Sequence, residues 1–197
     1  MNGEFLDETV VDSRIGEGAK IALDRMLAVP QTQETPLMAL LEVGAEAPDI
    51  NAETGSGQDF RLSGHTESSR VMLVFYPKDF TSGCTTQLVN VQRSLTDMRR
   101  ADVEPFGISA DTAESHRQFC DAYKLHFELL VDDTKAAARA YGALKPDGGI
   151  LRSVFVVGQD GKVIFAQEGA PSWQDVVEAI GGTDDGARLE ASFLPRR

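Results

Sequence analysis

Five consecutive apolar residues, Val71-Met72-Leu73-Val74-Phe75, constrain the architecture of this chain more than any other stretch. A strand with one wet face alternates apolar and polar side chains. An unbroken apolar run is apolar on both faces and must be covered on both. It predicts a central strand with helices packed on each side of a sheet. Tyr76 and Pro77 end the run, and the loop Lys78-Asp79-Phe80-Thr81-Ser82-Gly83 leads to Cys84. Beyond it Leu88, Val91, Leu95 and Met98 recur at the spacing of one buried helical stripe, and Cys84 lies four residues before Leu88, in phase with it. The segment reads as buried strand, tight loop, and thiol at the start of a helix.

A helix start is where a thiolate costs least. Unpaired backbone N–H groups and the positive dipole end both favour a negative sulfur. The stripe directs Cys84 into a semi-enclosed pocket. Pro77 turns the chain off the strand and can shield one side of the thiol. The hydroxyl of Thr81 can both donate and accept, so it can serve a thiolate and a bound substrate together. The plainer alternative is that Cys84 is a small buried hydrophobe, the commonest fate of a free cysteine.

The rest of the chain organises around that segment. Strand patterns run over 59–62, 71–76, 103–109, 127–131, 153–157 and 162–167, with a hairpin turn at Asp160-Gly161. Helical patterns run over about 84–99, 113–124, 134–141 and 172–180. The order β-β-α-β-α-β-α-β-β-α predicts an α/β sandwich around a mixed sheet, over a domain spanning 43–182. Before it, residues 1–42 form a helical N-terminal extension. Ile15, Ala19, Ala22, Leu23, Met26 and Leu27 fall at helical spacing and Pro30 ends the pattern. Such an arm must pack on its own domain, another subunit or a partner. Residues 183–197 are a turn-rich C-terminal tail.

Charge and composition exclude several classes. A net charge of −12 argues against nucleic acid and anionic membrane as partners. No apolar run reaches membrane-spanning length, and the acidic start Met1-Asn2-Gly3-Glu4 lacks the apolar core of an export signal, which predicts a cytoplasmic protein. Two cysteines are not a disulfide framework; redox or catalytic use is the expectation. The histidines His65, His116 and His126 have no metal-ligand spacing, so neither metal nor other cofactor is expected.

Pro77, Thr81 and Cys84 together match Pro-x-x-x-Thr-x-x-Cys, and the chain here resembles the peroxiredoxins of the AhpC/TSA family. Val43-Gly44-Ala45-Glu46-Ala47-Pro48-Asp49, Phe106-Gly107-Ile108-Ser109-Ala110-Asp111, Leu129-Leu130-Val131-Asp132 and Arg152-Ser153-Val154-Phe155 carry the resemblance over about residues 43–181. Tyr76-Pro77-Lys78-Asp79 is most similar to the Q-type group, the bacterioferritin comigratory proteins. The resemblance implies a thioredoxin-like fold, a central mixed sheet flanked by helices. It implies a peroxidase reducing hydrogen peroxide and organic hydroperoxides through Cys84, with Pro77, Thr81 and Arg152 in the site. A guanidinium near Cys84 would favour the thiolate and hold peroxide oxygens. At Gln87 the group usually carries a glutamate, so the part this amide plays stays open.

Many Q-type members place a second cysteine where this chain has Val89; others place it on the next helix, where Cys120 falls. The resemblance therefore implies an intramolecular Cys84–Cys120 disulfide, reduced again by thioredoxin or a similar dithiol, in a monomer or homodimer. Cysteines on separate helices are not expected within the roughly 7 Å between Cα atoms that a disulfide needs. The first turn or two after Cys84 should unwind, and the β-branched Thr85 and Thr86 favour fraying there. Three alternatives remain. One is a one-cysteine peroxidase with a structural Cys120. Another is a thioredoxin-like disulfide oxidoreductase, disfavoured because Thr81 stands where Cys-x-x-Cys needs its first thiol. The third is a binding or holdase protein acting through the N-terminal arm.

Overall fold

A computed structural model of the protein describes residues 39–181. The expected helical extension, apart from residues 39–42, and the expected tail over 183–197 lie outside the described residues. In chain order the elements are β1 (Asn51–Glu53), β2 (Asp59–Arg61), α1 (Leu62–Thr66), β3 (Arg70–Phe75), α2 (Ser82–Arg100), β4 (Val103–Ser109) and α3 (Ala113–Tyr123). There follow β5 (Leu129–Val131), α4 (Ala136–Ala140), β6 (Ser153–Val157), β7 (Val163–Glu168) and α5 (Trp173–Ile180).

Five strands form one mixed sheet in the order β5-β4-β3-β6-β7. β3 runs parallel to β4, and β4 to β5; β6 is antiparallel to both β3 and β7. The apolar run on β3 thus takes the central position, and all five of its residues are buried, as is Arg70 before them. Met72 and Val74 point to one face, where they meet Leu88, Val91 and Met98 of α2 and Val176 and Ile180 of α5. Val71, Leu73 and Phe75 point to the other, against Phe106, Tyr141 and Phe155. Burying one such side chain contributes about 1.5–3 kcal/mol, so a polar residue in place of any of Val71 to Phe75 would be expensive.

The mixed α/β sandwich read from the sequence is the fold observed. The β6–β7 turn closes as expected around Gly158–Gly161: Gly161 N–H donates to the Gly158 carbonyl at 3.0 Å, with Gly161 at φ +78°. Two short elements were not anticipated. β1 exists through antiparallel pairing with β2, and Thr54 just after it bridges to the distant Leu130. Leu62-Ser63-Gly64-His65-Thr66 folds as the single turn α1 without any periodic apolar stripe. Among the described residues no helix is long and apolar enough to cross a membrane.

Candidate active site

β3 delivers the chain to the C-terminal end of the sheet, where Tyr76 is still buried and Pro77 emerges exposed. Helix α2 then begins. Its N-cap, Thr81, has extended backbone (φ −82°, ψ 144°) and places no side-chain cap on the helix. The Thr81 hydroxyl instead donates to the Lys78 carbonyl at 3.0 Å. The opening N–H groups of α2 therefore have no side-chain cap from Thr81, and such a helix start favours a negative charge near Cys84. Thr81 keeps its oxygen lone pairs, but its proton is committed to the loop, and no bond joins it to the thiol.

Cys84 is 1% exposed and lies in the hydrophobic cluster with Leu88, as its phase in the stripe requires. Arg152, just before β6, reaches it from across the sheet. Arg152 Nη2 donates to Cys84 Sγ at 3.2 Å, and Nη1 donates to the Gly83 carbonyl at 3.4 Å and to Gln87 Oε1. An arginine at the mouth of an apolar strand is thus no solvated edge residue. Gln87, 5% exposed and one turn after Cys84, spends its oxygen on holding that guanidinium. Gly83 leaves room for it, since a Cβ there would lie 3.3 Å from Arg152 Nη2.

Beneath the loop lies a polar network that the sequence reading missed. Asp79 is 4% exposed. Its carboxylate accepts from Tyr76 Oη at 2.7 Å, Ser115 Oγ at 2.7 Å and His116 Nδ1 at 2.9 Å. His116 Nε2 faces the Leu130 carbonyl at 3.2 Å, so both ring nitrogens lie against acceptors. Burial alone would raise the Asp79 carboxyl, yet the bonds from His116 and Ser115 outweigh it and hold it below its ordinary value. Tyr76 is driven the other way, well above the usual phenol range, by burial and by the Asp79 charge; it stays a donor. The Asp79 N–H donates to Asp111 Oδ2 at 2.9 Å. These bonds pin the Pro77–Thr81 loop to α3, the helix that carries Cys120. The only sequence signal was that Asp79 belongs to the Tyr-Pro-Lys-Asp phrase; apart from Tyr76, its partners lie more than thirty residues away.

Phe80 is 48% exposed and adopts φ +58°, a left-handed conformation that a bulky side chain occupies at a cost of about 1–3 kcal/mol. Its ring lies 4.9 Å from that of Phe119, which meets Tyr123 edge-on at 5.0 Å. An aromatic lip thus stands beside the loop. Cys120 occupies the same helix, half-buried, with its sulfur 4.0 Å from the Phe127 carbonyl. Burial first, then the charges of Glu128, Asp79 and Asp121, push its thiol up to about 12. Both cysteines are free thiols. The structure thus joins Cys84, Arg152, Gly83 and Gln87 directly; Thr81 and Pro77 flank them in the loop, and Cys120 sits among other neighbours. Among the described residues no group of His, Cys, Asp or Glu is arranged to hold a metal ion.

A thioredoxin-like sheet that presents an arginine-held thiol at a helix start defines a class of thiol oxidoreductases. Comparison with known proteins narrows it. The AhpC/TSA family model matches residues 43–166. Peroxiredoxin Bcp of Bacillus subtilis is 34% identical over 147 residues, covering 71% of this chain and 93% of that protein. Among solved structures, peroxiredoxin Q of Xanthomonas campestris aligns with a TM-score of 0.63 at 29% identity, over 78% of this chain and 97% of that one. A structure from work on alkyl peroxide reduction by the bacterioferritin comigratory protein of X. campestris aligns with a TM-score of 0.63 at 28% identity, over 78% and 98%. This chain belongs to the AhpC/TSA family, in its Q-type (Bcp) peroxiredoxin group, and is an oxidoreductase of the peroxidase kind.

Proposed function

We propose that this protein reduces hydrogen peroxide and organic hydroperoxides with Cys84 as the attacking thiolate and Cys120 as the resolving thiol. The observation that carries this reading is the 3.2 Å contact of Arg152 Nη2 with Cys84 Sγ at an uncapped helix start. The thiolate attacks the nearer peroxide oxygen. The O–O bond breaks, Cys84 becomes a sulfenic acid, and the leaving oxygen takes a proton to depart as water or an alcohol. Arg152 and the first N–H groups of α2 stabilise the charge that develops on that oxygen. The exposed rings of Phe80 and Tyr123, backed by the buried Phe119, offer an apolar surface for an alkyl substituent, which supports organic hydroperoxides as substrates.

Cys120 then displaces hydroxide from the Cys84 sulfenic acid; a disulfide forms and water leaves. An external dithiol of thioredoxin type reduces it by exchange and is itself oxidised. Cys120 must leave its burial to react, because a thiol held up at about 12 is a poor nucleophile at neutral pH. The first turn of α2 is suited to opening. Thr85 Oγ1 and, one turn on, Gln87 Nε2 are buried without hydrogen-bond partners among the described residues, each at a cost of about 1–3 kcal/mol that unwinding relieves. The strain at Phe80 acts in the same direction.

The burial of Cys120 against the Phe127 carbonyl also favours a second reading, in which only Cys84 is redox-active and Cys120 fills the core. Peroxide consumption by the Cys→Ser variants separates the two. Cys84→Ser should lose all activity. Cys120→Ser should keep the first turnover and lose thioredoxin-supported turnover; sustained turnover with thioredoxin would establish the one-cysteine reading instead.

A further inference from the structure

Bonding and strain are distributed unevenly along the loop that leads into α2. Asp79 is its firmly held point. The buried carboxylate accepts from Tyr76, Ser115 and His116, and the Asp79 N–H donates to Asp111 Oδ2 at 2.9 Å. Hydrogen bonds to an ionised acceptor are about twice as strong as neutral ones. The features that disfavour the folded form all lie after this point. Phe80 follows at φ +58°, and Thr85 Oγ1 and Gln87 Nε2 are buried without partners among the described residues. Local opening starts where structure is least stable, so a segment beginning at Phe80 can open while Asp79 stays in place.

Asp79 also grips α3 at a particular place. Cys120 lies four residues after His116, one turn on and on the same face of the helix. That turn advances about 6 Å along the axis. Cys84 lies five residues after Asp79, and five extended residues span at most about 17 Å. An opened segment still fastened at Asp79 therefore keeps Cys84 on a leash that reaches Cys120 and strays little beyond it. The two ends are already neighbours: after burial and Glu128, the Asp79 charge is the next influence that pushes up the Cys120 thiol.

We propose that Asp79 is a positioning residue for the second step. Its grip on Ser115 and His116 is the hinge about which the start of α2 swings, and it delivers the Cys84 sulfenic acid to the Cys120 thiol, where the two join as a disulfide and water leaves. The proposal deepens the two-cysteine reading and rests on it. Without the grip the nearest firm point is Tyr76, wholly buried at the end of β3, and the leash grows from five residues to eight. Effective concentration falls roughly as the −3/2 power of tether length, so joining slows about twofold from length alone. A merely structural role has the opposite sign. Bonds that only stiffened the loop would, once cut, ease unwinding and speed the joining. Loss of the Asp79 charge also acts toward speed, since it eases ionisation of Cys120.

Rapid quench after one equivalent of hydroperoxide, read by intact mass, follows the species with one added oxygen as it becomes the species short of two hydrogens. Asp79→Ala should slow this conversion about twofold or more. Asp79→Asn keeps an oxygen for Tyr76 and Ser115 and should stay near the wild-type rate although it is less stable. Hydrogen exchange on wild type in its disulfide form needs no variant that folds. The Thr85 N–H, bonded to the Thr81 carbonyl at 2.9 Å while both thiols are free, should lose its protection, and the Asp79 N–H should keep it. Conversion in Asp79→Ala as fast as in wild type, Asp79→Asn as slow as Asp79→Ala, or an Asp79 N–H that exchanges together with that of Thr85 would overturn the hinge and leave the two-cysteine reading standing. A wild type that never loses two hydrogens would overturn both.

Discussion

Arg152 Nη2 lies 3.2 Å from Cys84 Sγ, although 68 residues separate the two in sequence. The contact depends on three supports: Gly83, whose missing side chain leaves room, Gln87, whose amide oxygen fixes the other guanidinium nitrogen, and β6, which brings Arg152 to the helix start. Arg152→Lys keeps a positive charge but loses the planar fork that touches sulfur, Gly83 and Gln87 together. The second-order rate of the first peroxide reduction should fall on the order of 10²–10³-fold, the usual effect of removing one donor aimed at a developing oxyanion. Stopped-flow measurement checks this; a rate within threefold of wild type would remove Arg152 from the chemistry.

Gly83→Ala should move stability and activity in opposite directions. Alanine in place of a helical glycine stabilises by about 0.5–1 kcal/mol. The added Cβ would lie 3.3 Å from Arg152 Nη2, tight enough to push the guanidinium aside by a few tenths of an ångström. Since a misplacement of about 1 Å can cost on the order of 10²-fold in rate, a several-fold loss is expected. Urea titration and peroxide kinetics on one preparation give both signs.

The Asp79–His116 pair makes a claim about acid stability. Its side chains are 1% and 0% exposed, so Asp79→Asn leaves a buried histidine without its carboxylate and should cost about 1–3 kcal/mol at pH 7. The Asp79 carboxyl is held below its ordinary value of 3.8 in the folded state. Its contribution is therefore fully present above that value and is lost as pH falls through the lower, folded one. The gap between wild type and Asp79→Asn should be widest at pH 7 and narrow below about pH 3.8. A gap that stays constant down to pH 3 would show that the pair carries no differential charge.

Cys120 makes a claim about the second step. Its thiol stands at about 12 when packed and has an ordinary value of 9.0, both above neutral pH. Between pH 6 and 8 its thiolate fraction therefore rises about tenfold for each pH unit in either setting. The conversion of sulfenic acid to disulfide should accelerate in step, as followed by rapid quench and intact mass. A pH-independent conversion would place the limiting event elsewhere.

The sequence made some of this legible and not the rest, for physical reasons. β4 and β6 run over the residues that their apolar patterns marked, because both are buried along most of their length and bounded by turn residues. The stripe of α2 was readable because Cys84, Leu88, Val91, Leu95 and Met98 all face one core. β1 carries no such signature; three residues become a strand only because β2 is beside them. At the site, Cys84 and Arg152 were named from a motif and a family position. The grip of Gln87 on Arg152, the commitment of the Thr81 proton to Lys78, and the Asp79–His116 pair are products of tertiary contact. His116 illustrates the limit: nothing in the chain pairs it with a loop residue 37 positions away.

The most direct test of the account is the intact mass of the protein after one equivalent of hydroperoxide, for wild type and for Cys120→Ser. Wild type should lose two hydrogens as Cys84 and Cys120 join, and Cys120→Ser should gain one or more oxygens on Cys84. Wild type that instead gains oxygen on Cys84 while Cys120 stays a free thiol would contradict the two-cysteine cycle.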